Sequence, residues 1–134
     1  MKKLSLISSA LVLVLAVFLI SCTSGDNVMS KKKGVYTINT TTLSADVKGY
    51  MGPTPLLITV KDDVVVKVEA LENTETSGFF KRMTDGGLLE RWNGMKVSDA
   101  LALDVDVVTG ATFSSNAVIQ NVRLGLTYYI DHKK

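Results

Sequence analysis

Leu56-Leu57-Ile58-Thr59-Val60-Lys61-Asp62-Asp63-Val64-Val65-Val66-Lys67-Val68-Glu69-Ala70 is the stretch on which the fold turns. Leu56 to Lys61 and Val65 to Ala70 are rich in β-branched residues of alternating polarity, and Asp62-Asp63 marks a turn, so together they read as a β-hairpin. Placing the large apolar residues on one face sets the register. With a three-residue loop, Asp62 to Val64, Lys61 lies opposite Val65, and Leu56, Ile58 and Val60 share a face with Ala70, Val68 and Val66. The other face then carries Leu57, Thr59, Lys61, Val65, Lys67 and Glu69. A two-residue loop would bring Lys67 and Glu69 beside Ile58 and Leu56, because a one-residue slip exchanges the faces. The longer loop is therefore expected.

Working outward, Val35 to Ile38 and the Thr-rich Asn39 to Leu43 favour a further extended strand. Downstream, Glu72 to Ser77 is polar, and two short helices are expected at Ser77 to Met83 and Leu88 to Trp92. Gly86-Gly87 separates them, since paired glycines weaken a helix by about 2 kcal/mol, and Asn93-Gly94 ends the second. Phe79, Phe80, Met83, Leu88, Leu89 and Trp92 form an amphipathic lid whose default role is core packing. Val118, Val122, Leu126 and Tyr129 form a helical stripe, which makes Ser114 to roughly Ile130 the longest helix. The expected fold is a small single α+β domain, an antiparallel sheet with short helices and a C-terminal helix packed on it.

The chain has 134 residues, 46% of them hydrophobic, with one Cys, one His, 15 basic and 13 acidic residues, which suits one domain and rules out a disulfide framework. The net charge of +2 comes from Lys2 and Lys3, and without them basic and acidic residues balance at 13 each. No basic stripe remains to argue for a nucleic-acid partner. Met1-Lys2-Lys3 followed by the apolar run Leu4 to Ile20 has the form of a signal sequence. A membrane-spanning helix is the competing reading, although 17 residues sit at the lower edge of spanning length. Leu19-Ile20-Ser21 before the only Cys resembles a bacterial lipobox, which would make Cys22 the lipidated first residue of the mature protein; a secreted chain with a stray Cys is the alternative. The expected division is a lipoprotein signal peptide at 1–21, a tether at 22–33 and a domain at 34–134, anchored to the cell or outer membrane on its extracytoplasmic side. A coil of about 12 residues would hold the domain on the order of 20 Å from the bilayer. Lys31, Lys32 and Lys33 suit either anionic headgroups or plain solubility, and no site is assigned to them.

Chemistry gathers just before the last helix, in Asp106-Val107-Val108-Thr109-Gly110-Ala111-Thr112-Phe113-Ser114-Ser115. Hydroxyls, a Gly-Ala pair and a helix N-terminus coincide there, an arrangement suited to a phosphate. An ordinary N-cap at Ser114 or Thr112 explains the same residues equally well.

The segment Asp106-x-x-Thr109-Gly110-Ala111-Thr112 resembles the flavinylation motif of the FMN-binding domain family, found in subunits of ion-translocating electron-transfer complexes and in lipoproteins. The resemblance extends over about residues 34–130, through Gly49-Tyr50-Met51-Gly52-Pro53, Glu75-Thr76 before Gly78, and Val118. Ser77 departs from it, standing where many members have Pro. The resemblance implies that a flavin transferase takes FMN from FAD and joins its phosphate to Thr112 as a phosphoester. Two phosphate oxygens would then lie beside the N–H groups of Ser114, Ser115 and Asn116. It implies that Gly110 and Ala111 leave room for the transferase, with Thr109 and Ser115 as supporting hydroxyls. An acid at Asp106 is also implied, with two roles open: ordering the loop, or meeting the metal-bearing transferase. Glu75, Thr76 and the Gly49 to Gly52 turn would hold the flavin, with peptide groups and the Thr76 hydroxyl at its polar edge and Tyr50 or Met51 on its apolar face. For Tyr50 a half-buried turn aromatic is the competing reading. Trp92 is read as core and His132 as part of a solvated tail.

The function implied is that of a membrane-anchored flavoprotein passing electrons from a membrane reductase to an outer acceptor. A flavin-dependent reductase of a soluble acceptor is the alternative, and that leaves it open whether the chain is an enzyme; a binding module without flavin is a third class. With no cytochrome attachment motif and no Cys cluster, the chain supplies no ligand set for haem c or iron–sulfur.

Overall fold

A computed structural model describes residues 27–75 and 77–134. The expected signal sequence, Cys22 and Thr76 lie outside the described residues. Four strands, β1 (Met29–Lys32), β2 (Val35–Asn39), β3 (Leu56–Lys61) and β4 (Val64–Ala70), form an antiparallel sheet in sequential order. Three helices follow: α1 (Ser77–Asp85), α2 (Val97–Ala102) and α3 (Thr112–His132). This is the expected α+β architecture, with the C-terminal helix lying on the sheet. Ile38, Leu56, Ile58 and Val60 of the sheet are fully buried, as are Val118 and Leu126 of α3, with Met83, Leu88 and Trp92 closing the core beside them. At the far end of α3, the Tyr129 hydroxyl donates to Asp63 Oδ1 (2.6 Å) and Lys133 pairs with the same oxygen (2.7 Å), fastening the helix to the hairpin turn.

The hairpin departs from the expected register in one half. Leu56 pairs with Ala70, Ile58 with Val68 and Thr59 with Lys67, as the sequence suggests, but Val60 pairs with Val65 and Lys61 with Val64. The loop is therefore only Asp62-Asp63, and both residues have left-handed backbones (φ 52° and 60°), the conformation of a tight type I′ turn. A β-bulge next to Thr59/Val60 absorbs the extra residue. Val65 is thus fully buried and Val66 is 48% exposed, the reverse of the expectation. A uniform register would force the longer loop, whereas one bulge lets a two-residue turn and an apolar inner face coexist.

Three other boundaries move. The sheet begins at Met29, inside the stretch expected to be tether, because residues 29–32 pair with β2 and the Asn39 N–H donates to the Val28 carbonyl (2.7 Å). β2 ends at Asn39, and residues 41–46 form turns. They follow a buried Thr40 whose Oγ1 accepts the Leu56 N–H (2.9 Å) and donates to Asn121 Oδ1 (2.7 Å). Leu88 to Trp92 is a run of turns instead of a helix, although it buries Leu88 and Trp92 as expected, and α2 at Val97–Ala102 was not expected.

Candidate functional site

The residues of the Asp106 to Ser115 segment make a tight turn that leads straight into α3. The Ala111 N–H donates to the Val108 carbonyl (3.0 Å), and Gly110 adopts φ +83°, a backbone that L side chains rarely take. Ala111 is the N-cap and Thr112 the first helical residue, with no side chain capping the helix. The expected capping role of Thr112 or Ser114 is thereby corrected. The helix begins two residues earlier than Ser114, and both serine hydroxyls turn inward. Buried Ser114 donates to Glu75 Oε2 (2.5 Å), and the buried Ser115 hydroxyl accepts the Val108 N–H (3.2 Å). Both hydroxyls are engaged within the protein. Thr112 is exposed.

The same shift corrects the expected phosphate donors. Ser115 N–H already makes the first helical bond, to the Ala111 carbonyl (2.9 Å), and Asn116 comes after it. The N–H groups that precede that bond, and so face outward from the helix start, are those of Thr112, Phe113 and Ser114.

Glu75 is the other centre of the site. Its carboxylate accepts the N–H groups of Tyr50 (3.2 Å), Met51 (3.0 Å) and Gly52 (3.2 Å) together with the Ser114 hydroxyl. Burial works to raise its pKa, yet the bonds from Ser114, Met51, Gly52 and Tyr50 outweigh it and hold the carboxyl below its ordinary range. Glu75 therefore stands ionised as a clamp that fastens the 49–52 turn to the start of α3. A Cβ on Gly49 would sit 2.5 Å from its Oε1, so the turn closes on it only with glycine there. The expectation that peptide groups of this turn meet the flavin's polar edge is corrected for the N–H groups of residues 50–52, which are taken by Glu75.

With the backbone turned inward, the side chains of Tyr50 and Met51 point out, 57% and 60% exposed. Between Tyr50 and α3 lies a pocket of about 250 Å³ lined by Tyr50, Phe79, Gly110, Ala111, Thr112, Phe113 and Ser114; Met51 does not line it. Tyr50 meets Phe79 edge-on (5.6 Å between ring centres) and Phe113 at a tilt (6.2 Å). Phe79 and Phe113 are the site residues that the sequence reading leaves out: Phe79 is assigned to the core lid, and Phe113 is not singled out. A signal existed for Phe113. Counting the buried stripe back from Val118 lands on Ser114 and Ser115, which leaves Phe113 off the packed face. Trp92 is buried, as expected, and His132 is exposed, stacked on Tyr128 (3.9 Å).

Asp106 and Thr109 are exposed, and among the described residues neither side chain makes a hydrogen bond. Of the two roles open for Asp106, a hydrogen bond that orders the loop finds no support here.

Outward N–H groups and exposed aromatic faces on a single pocket fit FMN: the rings offer apolar faces to the isoalloxazine, and the helix start suits an anion such as its phosphate. The model of the FMN-binding domain family matches residues 49–127, a span that includes Glu75, the Tyr50 turn, the Thr112 loop and most of α3. No curated protein and no solved structure gave a significant match.

Proposed function

The chain belongs to the FMN-binding domain family, and from that premise we propose that it is an electron-transfer flavoprotein carrying FMN as a phosphoester on Thr112. The observation that carries the attachment is the position of Thr112: an exposed hydroxyl at the first residue of α3, on the wall of the aromatic pocket. In the attachment step the Thr112 Oγ–P bond forms while the pyrophosphate bond of FAD breaks, AMP leaves, and the hydroxyl proton passes to the transferase or solvent. Bound FMN supplies reversible electron transfer.

The residues of the chain then bind and orient. Tyr50, Phe79 and Phe113 offer faces to the ring, the N–H groups of Thr112, Phe113 and Ser114 offer donors to the phosphate, and Glu75 keeps the two walls together. The lining of the pocket favours a carrier over a reductase of a soluble acceptor. Tyr50, Thr112 and Ser114 are its only polar side chains among the described residues, and Glu75 behind Ser114 is an ionised acceptor with its donors already in place, a poor proton source. We further propose that Cys22 is lipidated and holds the domain outside the cytoplasmic membrane. There a membrane reductase supplies electrons and an outer acceptor removes them, and covalent attachment keeps a cofactor that no cytoplasmic pool could replace.

Intact mass of the chain produced with and without a flavin transferase tests the attachment. The wild type should gain the mass of FMN less one water and stay yellow on denaturation, and Thr112→Ala should do neither. Flavin retained on Thr112→Ala would move the bond to another hydroxyl.

A further inference from the structure

Arg82 lies on α1 one turn beyond Phe79, on the same side of the helix. Its side chain crosses to the attachment loop. A Cβ built on Gly110 would lie 3.2 Å from Arg82 Cδ and 3.4 Å from Cζ, and closer still to Nη1, so the guanidinium occupies the space a side chain at 110 would need. Gly110 lines the aromatic pocket and stands two residues before Thr112. Arg82 is exposed, and among the described residues it belongs to no ion pair; its neighbour Lys81 is taken by Asp85 (2.6 Å).

We propose that Arg82 binds the phosphate of the FMN on Thr112, an inference that rests on the Thr112 attachment above. A phosphodiester keeps one negative charge, and the planar guanidinium fork matches two of its oxygens. The packing of Arg82 over Gly110 holds the fork near that position before the flavin arrives, which lowers the cost of ordering a long side chain. The ligand is thereby given a direction: phosphate at the Gly110–Arg82 rim, ring towards Tyr50, Phe79 and Phe113.

The test compares wild type, Arg82→Gln and Arg82→Lys as full chains in detergent, each made with and without a flavin transferase, with intact mass to measure loading and thermal melts to measure stability. Without flavin, Arg82→Gln should melt within about 2 °C of wild type, as exposed substitutions usually do. With flavin it should melt about 4–8 °C lower, the shift of an exposed ion pair near the upper end of its usual strength in a domain this size. Arg82→Lys should recover part of the difference, and 1 M salt should shrink it. Equal losses with and without flavin, or equal melting of all flavinylated forms, would overturn the role of Arg82 and leave the attachment standing. A wild type that gains no mass would overturn the attachment, and the Arg82 inference with it.

Discussion

Replacing Glu75 by Gln removes one charge and almost no volume, and so isolates what the carboxylate does. In the variant one oxygen can keep the Met51 and Gly52 donors, but as neutral bonds of roughly half the strength. The amide NH₂ falls where Oε2 accepted Tyr50 N–H and the Ser114 hydroxyl. Ser114 can rotate to accept, whereas Tyr50 N–H is left facing a donor. With about 1.5–3 kcal/mol for each bond to a charged acceptor, discounted because Tyr50 and Met51 can recruit water, the net loss is about 2–4 kcal/mol at pH 7. That is a large share of the 5–15 kcal/mol typical of a domain. The loss should depend on pH in one direction. The folded pKa of Glu75 lies below its ordinary value of 4.5, so the unfolded chain binds the proton more readily; the stabilisation is complete above about pH 4.5 and disappears as the pH falls through the folded pKa. Urea denaturation of wild type and Glu75→Gln at pH 7 and at pH 3.5, followed by circular dichroism, reads this directly: the gap at pH 3.5 should be narrower than at pH 7, by up to about 1.4 kcal/mol for the one unit below 4.5. A gap of the same width at both values, or none at pH 7, would refute the clamp.

Val65→Asp should unfold the domain or cost several kcal/mol, because it buries an unpaired carboxylate at a fully enclosed position, while Val66→Asp should stay within about 0.5 kcal/mol; thermal melts that rank the two the other way would place the bulge wrongly. Cys22→Ala should lose incorporation of a fatty-acid analogue while leaving the sheet and helices folded, and label persisting on the variant would refute the lipid anchor.

What was legible in the sequence is what periodicity and local motif decide. The stripe Val118, Val122, Leu126, Tyr129 found α3 within two residues at either end, and the Thr-Gly-Ala-Thr run located the turn before it. The inner half of the hairpin failed because turn geometry and face pattern made opposite demands, and a bulge satisfied both, a solution that alternation alone does not reveal. α2, at six residues, is too short to show a period. The part played by Glu75 was out of reach for another reason: its partners lie 23 to 39 residues away in sequence, and only the packed fold brings them to one carboxylate. Phe79 was misplaced because an apolar residue on an amphipathic helix is by default assigned to the core.

The two borders of the sheet differ in how they are closed, and the lysines at 31–33 stand at the open one. Strand borders expose unpaired backbone groups on which another chain can build. On the β4 side the border is partly closed by the chain itself, since Gly94 N–H donates to the Val65 carbonyl (2.7 Å), Val65 N–H donates to the Met95 carbonyl (2.8 Å), and Val64 bridges to Lys96. On the β1 side no strand lies beyond it among the described residues, and there the border is only four residues long, Met29 to Lys32, with exposed Lys31 and Lys32 on it and Lys33 in the turn that follows. A second copy adding edge to edge would set ammonium groups against ammonium groups along a short run. The lipid anchor proposed at Cys22 would bring copies together often, and a border of this kind disfavours their pairing edge to edge.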